Sequence, residues 1–504
     1  MPASVTCRGR QRTGLAPGAP AVGPCLVPAG RSRRVVQALI PGPELLGQAR
    51  HLLQFHENPA VVAWWCTRLG RPLDWLTPAR RRAILAVAAG LAGILYPLTT
   101  LRGGKDWQHA FDGLAISLVV LVLFGFLWLV YRAAAAFAAL PAPVRGHPQL
   151  SLHLVYWACL GILWATPADA GLWRTVLFGV AVMFPFLLWR CGYLIFSGQY
   201  GRIRGTGFSD HLITLWPAFG GNNTPYGKGL DYLARCEAKT AEQLARAQLS
   251  GIRLIGLGMI WGVTLFVLEG ILYGDGNALT RFLGGPRLPV PGLDEVVVQG
   301  AGAPVAAAWA GIYCKLFKQV LRHAAGSHAI IGVLRLFGFN VFRSTYKPLL
   351  AESISEFWNR YYYYFKELLA NFFFLPTFAR LGRRLRNWPR LRLLCAVFAA
   401  ALVGNLYYHL LRMAVPLAEG RILPSLAALD SRMLYCLLLA IGIYVSMLRE
   451  QGRLGQGARP GGVRRVLRIF GVWTFFGLIF IWDVRSPASL LTRVDFFLGL
   501  FGIG

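Results

Sequence analysis

The sequence predicts an all-α polytopic membrane protein, and three observations carry that prediction. Hydrophobic residues make up 55% of the 504 and charged residues only 15%, whereas soluble domains carry about 25% charged residues. Mean hydropathy is +0.48. Several apolar runs exceed ~18 residues, enough for a helix to cross a ~30 Å hydrocarbon layer.

Charge narrows the partners. Lys and Arg number 52 against 22 Asp and Glu, a formal charge of +30. The arginines stand between apolar runs rather than along one amphipathic face. That is the pattern of positive-inside loops and anionic lipid, so the expected partner is the lipid bilayer and not nucleic acid. The nine cysteines form no CxxC pair. Most lie in apolar segments, where Cys behaves as a small hydrophobe, so neither a metal site nor a disulfide framework is indicated.

Residues 1–43 contain Arg, Gly and Pro but no acidic residue, and are expected to be a disordered or misassigned start. Residues 44–82 read as an interfacial segment, with Trp64, Trp65 and Trp75 suited to the headgroup layer. An N-terminal bundle over 83–197 follows, with spans near 83–101, 114–140, 150–165 and 172–196. The triplet Arg80-Arg81-Arg82 in front of it places the N-terminus in the cytoplasm.

A hydrophilic cytoplasmic loop, 198–250, carries the turn FGGNNTPYGKG and then a polar helix over 230–248. Asn222-Asn223-Thr224 matches a glycosylation acceptor, but Pro225 follows and the side is wrong. Spans near 252–273 and 303–321 come next. Residues 328–342 are apolar but only ~22 Å long as helix, too short to cross. With 357–378, flanked by positive charge on both sides, they make 328–390 a region of re-entrant helices sheltered by protein. C-terminal spans near 391–411, 433–448 and 466–484 and an apolar tail complete the chain, with 413–504 a separate C-terminal part.

The chemistry-bearing stretch is SISEFWNRYYYYFKELLANFFFLP, residues 353–376, together with His409 in the next apolar run. Polar groups at membrane depth are costly and usually face a cavity or a bundle interior. His409 reads either as a core histidine satisfied by a carbonyl or tyrosine, or as a working group. Asn405, four residues earlier on the same face, either orients that imidazole or packs between helices. Asn359 and Tyr362 stand three apart, on one helical face. Glu356 and Arg360 are spaced for a local ion pair.

These residues resemble the membrane-bound O-acyltransferases, most closely the bacterial branch of alginate O-acetylation and D-alanyl transfer to teichoic acid. The similarity runs from FSDHLITLWPAFGGNNTP through AAGSHAIIGVLRLFGFN to YKPLLAESISEFWNR, and is most specific in the last. The resemblance implies a funnel-shaped bundle of about ten spans in the bacterial inner membrane, with 198–412 as its core. It implies His409 as general base on an acceptor hydroxyl, with Tyr362, Asn359 and Asn405 in support and Arg360 available to a donor phosphate. The donor would be an acyl thioester, acyl-CoA or an acyl carrier protein, with no bound cofactor. Partners would include that carrier or a glycan-assembly protein, and the 380–392 arginine run would anchor the chain or dock the donor. The chain departs from the branch's pattern where Asn359 and Tyr362 stand for its first Arg and its motif histidine, and where Tyr408 precedes His409.

The positive-inside bias makes a direct prediction. Arg386→Cys should resist labelling by a membrane-impermeant thiol reagent applied to intact cells, because short basic loops beside spans stay cytoplasmic. Efficient labelling would reverse the orientation.

Overall fold

A computed structural model describes residues 54–103, 111–273, 290–452 and 462–503. The expectation for 1–43 lies outside the described residues. The described chain is helical nearly throughout, and its one β-bridge pairs Glu237 with Phe339. Six of its helices are long and apolar enough to cross a membrane, or seven if one bent pair is a single span.

The chain enters through α1 (Pro59–Arg68), started by Asn58, whose side chain accepts from the Ala60 amide, and by Pro59 at the first helical position. Trp65 donates to Gln248 Oε1 at 2.9 Å, while Trp64 and Trp75 stay more than half exposed. The first spans are α2 (Pro78–Gly103) and α3 (Gly113–Ala135). Arg81 of the basic triplet is buried rather than loop-exposed. Its guanidinium donates to Leu76 O and Ala238 O at 2.5 and 2.6 Å and lies 3.8 Å from the buried Glu237 carboxylate.

After α4 (Pro148–Ala165) come α5 (Gly171–Met183) and α6 (Pro185–Gln199), bent by 60° at Phe184. Pro185 has no amide to donate back, so the helix restarts there.

The longest pair is α7 (Ala241–Tyr273) and α8 (Val305–Leu336). Two glycines bring them together: a Cβ on Gly332 would lie 2.9 Å from Gly251 O, and one on Gly251 would lie 2.7 Å from Gly332 O. Small residues let backbones approach where lipid offers no hydrophobic drive. This pair corrects two expectations. The polar helix over 230–248 is instead a short helix, Leu230–Cys236, followed by a break and by α7, which runs unbroken into its apolar half. Residues 303–321 and 328–342 are not separate segments, because α8 continues to Leu336. The polar groups at and around the junction find partners: Arg322 and Lys318 each reach Glu269 at 2.9 Å, and His328 Nδ1 meets Ala324 O at 2.6 Å.

Ser353 caps α9 (Ile354–Tyr361) by accepting from the Glu356 amide at 3.1 Å. The helix then breaks at Tyr362, with φ −140° and ψ 59°. It resumes as α10 (Tyr363–Leu369), passes a π-helical turn at Ala370–Phe374, and ends as α11 (Leu375–Arg384). A second π turn, Ala399–Gly404, joins α12 (Pro389–Phe398) to α13 (Asn405–Leu411). The two turns pack together, with Phe373 seated where a Cβ on Gly404 would lie 2.6 Å away. Helices α14 (Asp430–Gln451) and α15 (Val463–Ile479) close the core.

The glycine crossing supplies a test. Gly332→Ala should destabilise the detergent-solubilised protein by about 1–3 kcal/mol through overpacking. Gly256→Ala, on the same helix pair but with nothing within 4 Å of its added Cβ, should be neutral or stabilising by up to ~1 kcal/mol through helix propensity. Equal melting temperatures for the two variants would show that the close approach does not hold the pair.

Candidate functional site

The break at Tyr362 assembles a polar cluster inside the bundle. Its scaffold is the turn 219–229. Gly220 has φ +83°, a left-handed conformation that suits glycine. Gly227 packs so closely that a Cβ would lie 2.3 Å from Asn222 O. The buried Arg190 holds the turn, donating to Leu215 O and Gly220 O at 3.2 and 3.3 Å, with its guanidinium 3.9 Å from the Phe186 ring centroid. This positions Asn223.

From the turn, Asn223 Nδ2 donates to Tyr362 Oη at 2.9 Å and to Tyr408 Oη at 3.1 Å. One amide therefore aligns two phenols from different helices, and both phenolic protons remain free to donate elsewhere. His323 of α8 stands against Tyr362, their ring centroids 4.1 Å apart. Its Nε2 is buried without a hydrogen-bond partner, as are Asn222 Oδ1, Asn223 Oδ1 and Asn405 Oδ1. Buried polar atoms are almost always satisfied, so Asn223 Oδ1 and His323 Nε2, both beside Tyr362, call for a partner.

His409 has a different setting. Arg432 Nη1 lies 2.9 Å from both of its ring nitrogens, and Arg432 Nη2 is paired with Asp483 at 2.7 Å. A guanidinium only donates, so the unprotonated nitrogen of His409 is already engaged by Arg432. Asn405 is buried on the same helix but does not orient this imidazole.

The other expected site residues divide. Tyr362 joins the cluster. Asn359 does not share its face, because the break at Tyr362 separates them and leaves Asn359 exposed on α9. Arg360 is held by Glu356 at 2.6 Å and by Lys347 O at 3.3 Å, as its spacing predicted. Asn371 donates to Tyr193 Oη at 2.9 Å.

Two contributors to the cluster, and one further buried histidine, have no role in the sequence expectations. The Asn222-Asn223 pair reads in the sequence as a glycosylation match and as part of the resembling FGGNNTP turn, with no role for its side chains. His323 lies between the span expected near 303–321 and the apolar segment 328–342, where the sequence drew no attention to it. His153, in the apolar run 150–165, is buried between Gln149 and Tyr407, each 2.9 Å from a ring nitrogen. The rule applied to His409, that an ionisable group inside an apolar run signals function, would have found His153 as well.

Beside the cluster, a groove of about 640 Å³ runs along α2, lined by Leu91, Leu95, Tyr96, Phe186, Trp216 and Gly221. Leu91 and Leu95 are half exposed on the apolar outer surface. The inner lining reaches Gly220 and Gly221, next in sequence to the Asn222-Asn223 pair.

The shared amide makes the two phenols interdependent. In a double-mutant cycle of Tyr362→Phe and Tyr408→Phe, the coupling should be about 0.5–1 kcal/mol, as expected for residues in one hydrogen-bond network. Equilibrium unfolding in mixed micelles measures it, and strict additivity would mean that Asn223 does not bridge them. Compared with known proteins, the chain matches no family model and no curated protein.

Proposed function

We propose that the protein is a bacterial inner-membrane O-acyltransferase, a funnel-like bundle of about ten spans with re-entrant helices. It moves an acyl group from a thioester, acyl-CoA or an acyl carrier protein, to a hydroxyl of a lipid, glycan or exported molecule. The observation that carries this reading is the buried cluster of Tyr362, Tyr408, Asn223 and His323, with its unfilled imidazole nitrogen and two undonated phenolic protons.

Acyl transfer needs both kinds of group. The acceptor oxygen bonds to the thioester carbonyl carbon as an imidazole takes its proton. The carbonyl oxygen gains negative charge, which prealigned O–H donors stabilise. The carbon–sulfur bond then breaks and the imidazolium returns a proton to the leaving thiolate. Of the two candidate bases, His323 has its Nε2 free, whereas His409 is capped by Arg432. We therefore give the base role to His323 and a positioning role to His409, and the donor role to Tyr362 and Tyr408. The groove beside Leu91 and Leu95 suits an acceptor that carries an apolar chain.

A second reading, a binding or transport scaffold without chemistry, is favoured by the Arg432 contact that occupies His409. Lipid and glycan profiles of a deletion strain complemented with variants separate the readings. His323→Ala should lower product by about 10²–10⁴-fold, and Tyr362→Phe by less, with protein levels unchanged. Loss only in His409→Ala would return the base role to His409. Unchanged product in both histidine variants would leave the scaffold reading.

A further inference from the structure

Beside the Gly251–Gly332 crossing, cationic side chains gather from three parts of the chain. Arg253 comes from α7, Arg335 from α8, and Arg343 and Lys347 from the loop after α8. His56, in the turn before α1, completes the group, its Nε2 3.4 Å from Arg253 Nη1. Arg335 is fully committed, with Nη1 donating to Ser250 Oγ at 2.6 Å and Nη2 to Val341 O at 2.7 Å. The others are not. Arg253 Nε and His56 Nδ1 are buried without partners. Arg343 and Lys347 share a single aromatic neighbour, lying 5.5 and 5.7 Å from the Tyr346 ring centroid.

The nearest carboxylate is Glu57, 3.6 Å from His56 and 65% exposed. It is too wet to offset several half-buried guanidinium groups. Basic residues that merely anchor a loop stand in water, as Arg383 and Arg384 do. Here Arg253, Arg335 and Arg343 are half-buried, and like charges held together out of water are costly without an anion. Burial, then the charges of Arg253, Arg343 and Arg335, pushes the His56 imidazole down to about 4. Burial and Arg253 also lower Arg343. Lys347 adds a backbone sign: it is the one non-glycine among the described residues with positive φ, at 49°. A strained residue of this kind persists where the surroundings hold it, often at ligand clamps.

We propose that Arg253, Arg343 and His56 form a phosphate-binding site, with the exposed Lys347 at its edge, distinct from the Tyr362 cluster. Guanidinium groups match phosphate oxygens with paired, charge-assisted hydrogen bonds, and the lysine adds a point charge. The phosphate belongs either to a lipid headgroup or to a soluble phosphate compound. The chemistry is shared, so the test separates the sources.

Full-length protein is purified in a neutral detergent. In one arm, its melting temperature is followed with sodium phosphate against sodium chloride at equal ionic strength. In the other, it is placed in nanodiscs of phosphatidylcholine doped with phosphatidylglycerol, and retained lipid is counted by native mass spectrometry. Stabilisation by phosphate supports a soluble ligand, and selective retention of phosphatidylglycerol supports a headgroup. In whichever arm responds, Arg343→Gln should weaken the response about tenfold or more, the scale of one charge-assisted hydrogen bond. Arg343→Lys should weaken it less, and Arg383→Gln not at all. Arg343 projects from a loop, so its variants should fold, and melting without added phosphate verifies this. No response in either arm, or a response that a folded Arg343→Gln protein keeps in full, would overturn the site.

Discussion

In the hydrocarbon layer a polar group finds its partner inside the protein or goes without. That constraint accounts for most of the long-range order in this bundle. Arg81 reaches the carbonyls of Leu76 and Ala238 and the carboxylate of Glu237, tying α2 to the segment before α7. Arg190 secures the turn at Gly220. Glu269 draws Lys318 and Arg322 onto α7. Arg81, Arg190 and Glu237 are buried, and each fixes one element against another because releasing it would leave an uncompensated buried charge.

Where the constraint goes unmet, the molecule holds something in reserve. Asn223 and His323 carry buried atoms with no partner beside two phenols aligned by one amide. The backbone is irregular there as well. A helix breaks at Tyr362, and two π turns, Ala370–Phe374 and Ala399–Gly404, interlock next to it. An extra residue in a helical turn turns the side chains that follow, so such turns often stand at functional positions. Here the second one immediately precedes the helix that carries Tyr408 and His409.

The two histidines show how a partner sets a role. His409 stands in the more suggestive sequence setting, deep in an apolar run, yet Arg432, itself paired with Asp483, engages it. His323 sits among charged neighbours in the sequence, yet its Nε2 is free beside Tyr362. Identical side chains differ in chemistry because a donated hydrogen bond occupies the lone pair that a base needs.

The sequence by itself determined the class of the protein. Long apolar runs separated by arginine admit little other than a helical membrane bundle, since each helix satisfies its own backbone. It also marked the Glu356–Arg360 pair, whose cause is local. Only the tertiary structure decided which polar groups meet. Asn223 and Tyr362 are separated by 139 residues and Asn223 and Tyr408 by 185, and no periodicity encodes such a contact. It decided that α8 is one helix through 322–328, where Arg322 pairs with Glu269 of another helix. It also separated Asn359 from Tyr362, since a break of one residue in the backbone turns two neighbouring helices to different faces. Spacing along a chain reports a face only while the helix is regular, and the site lies where it is not.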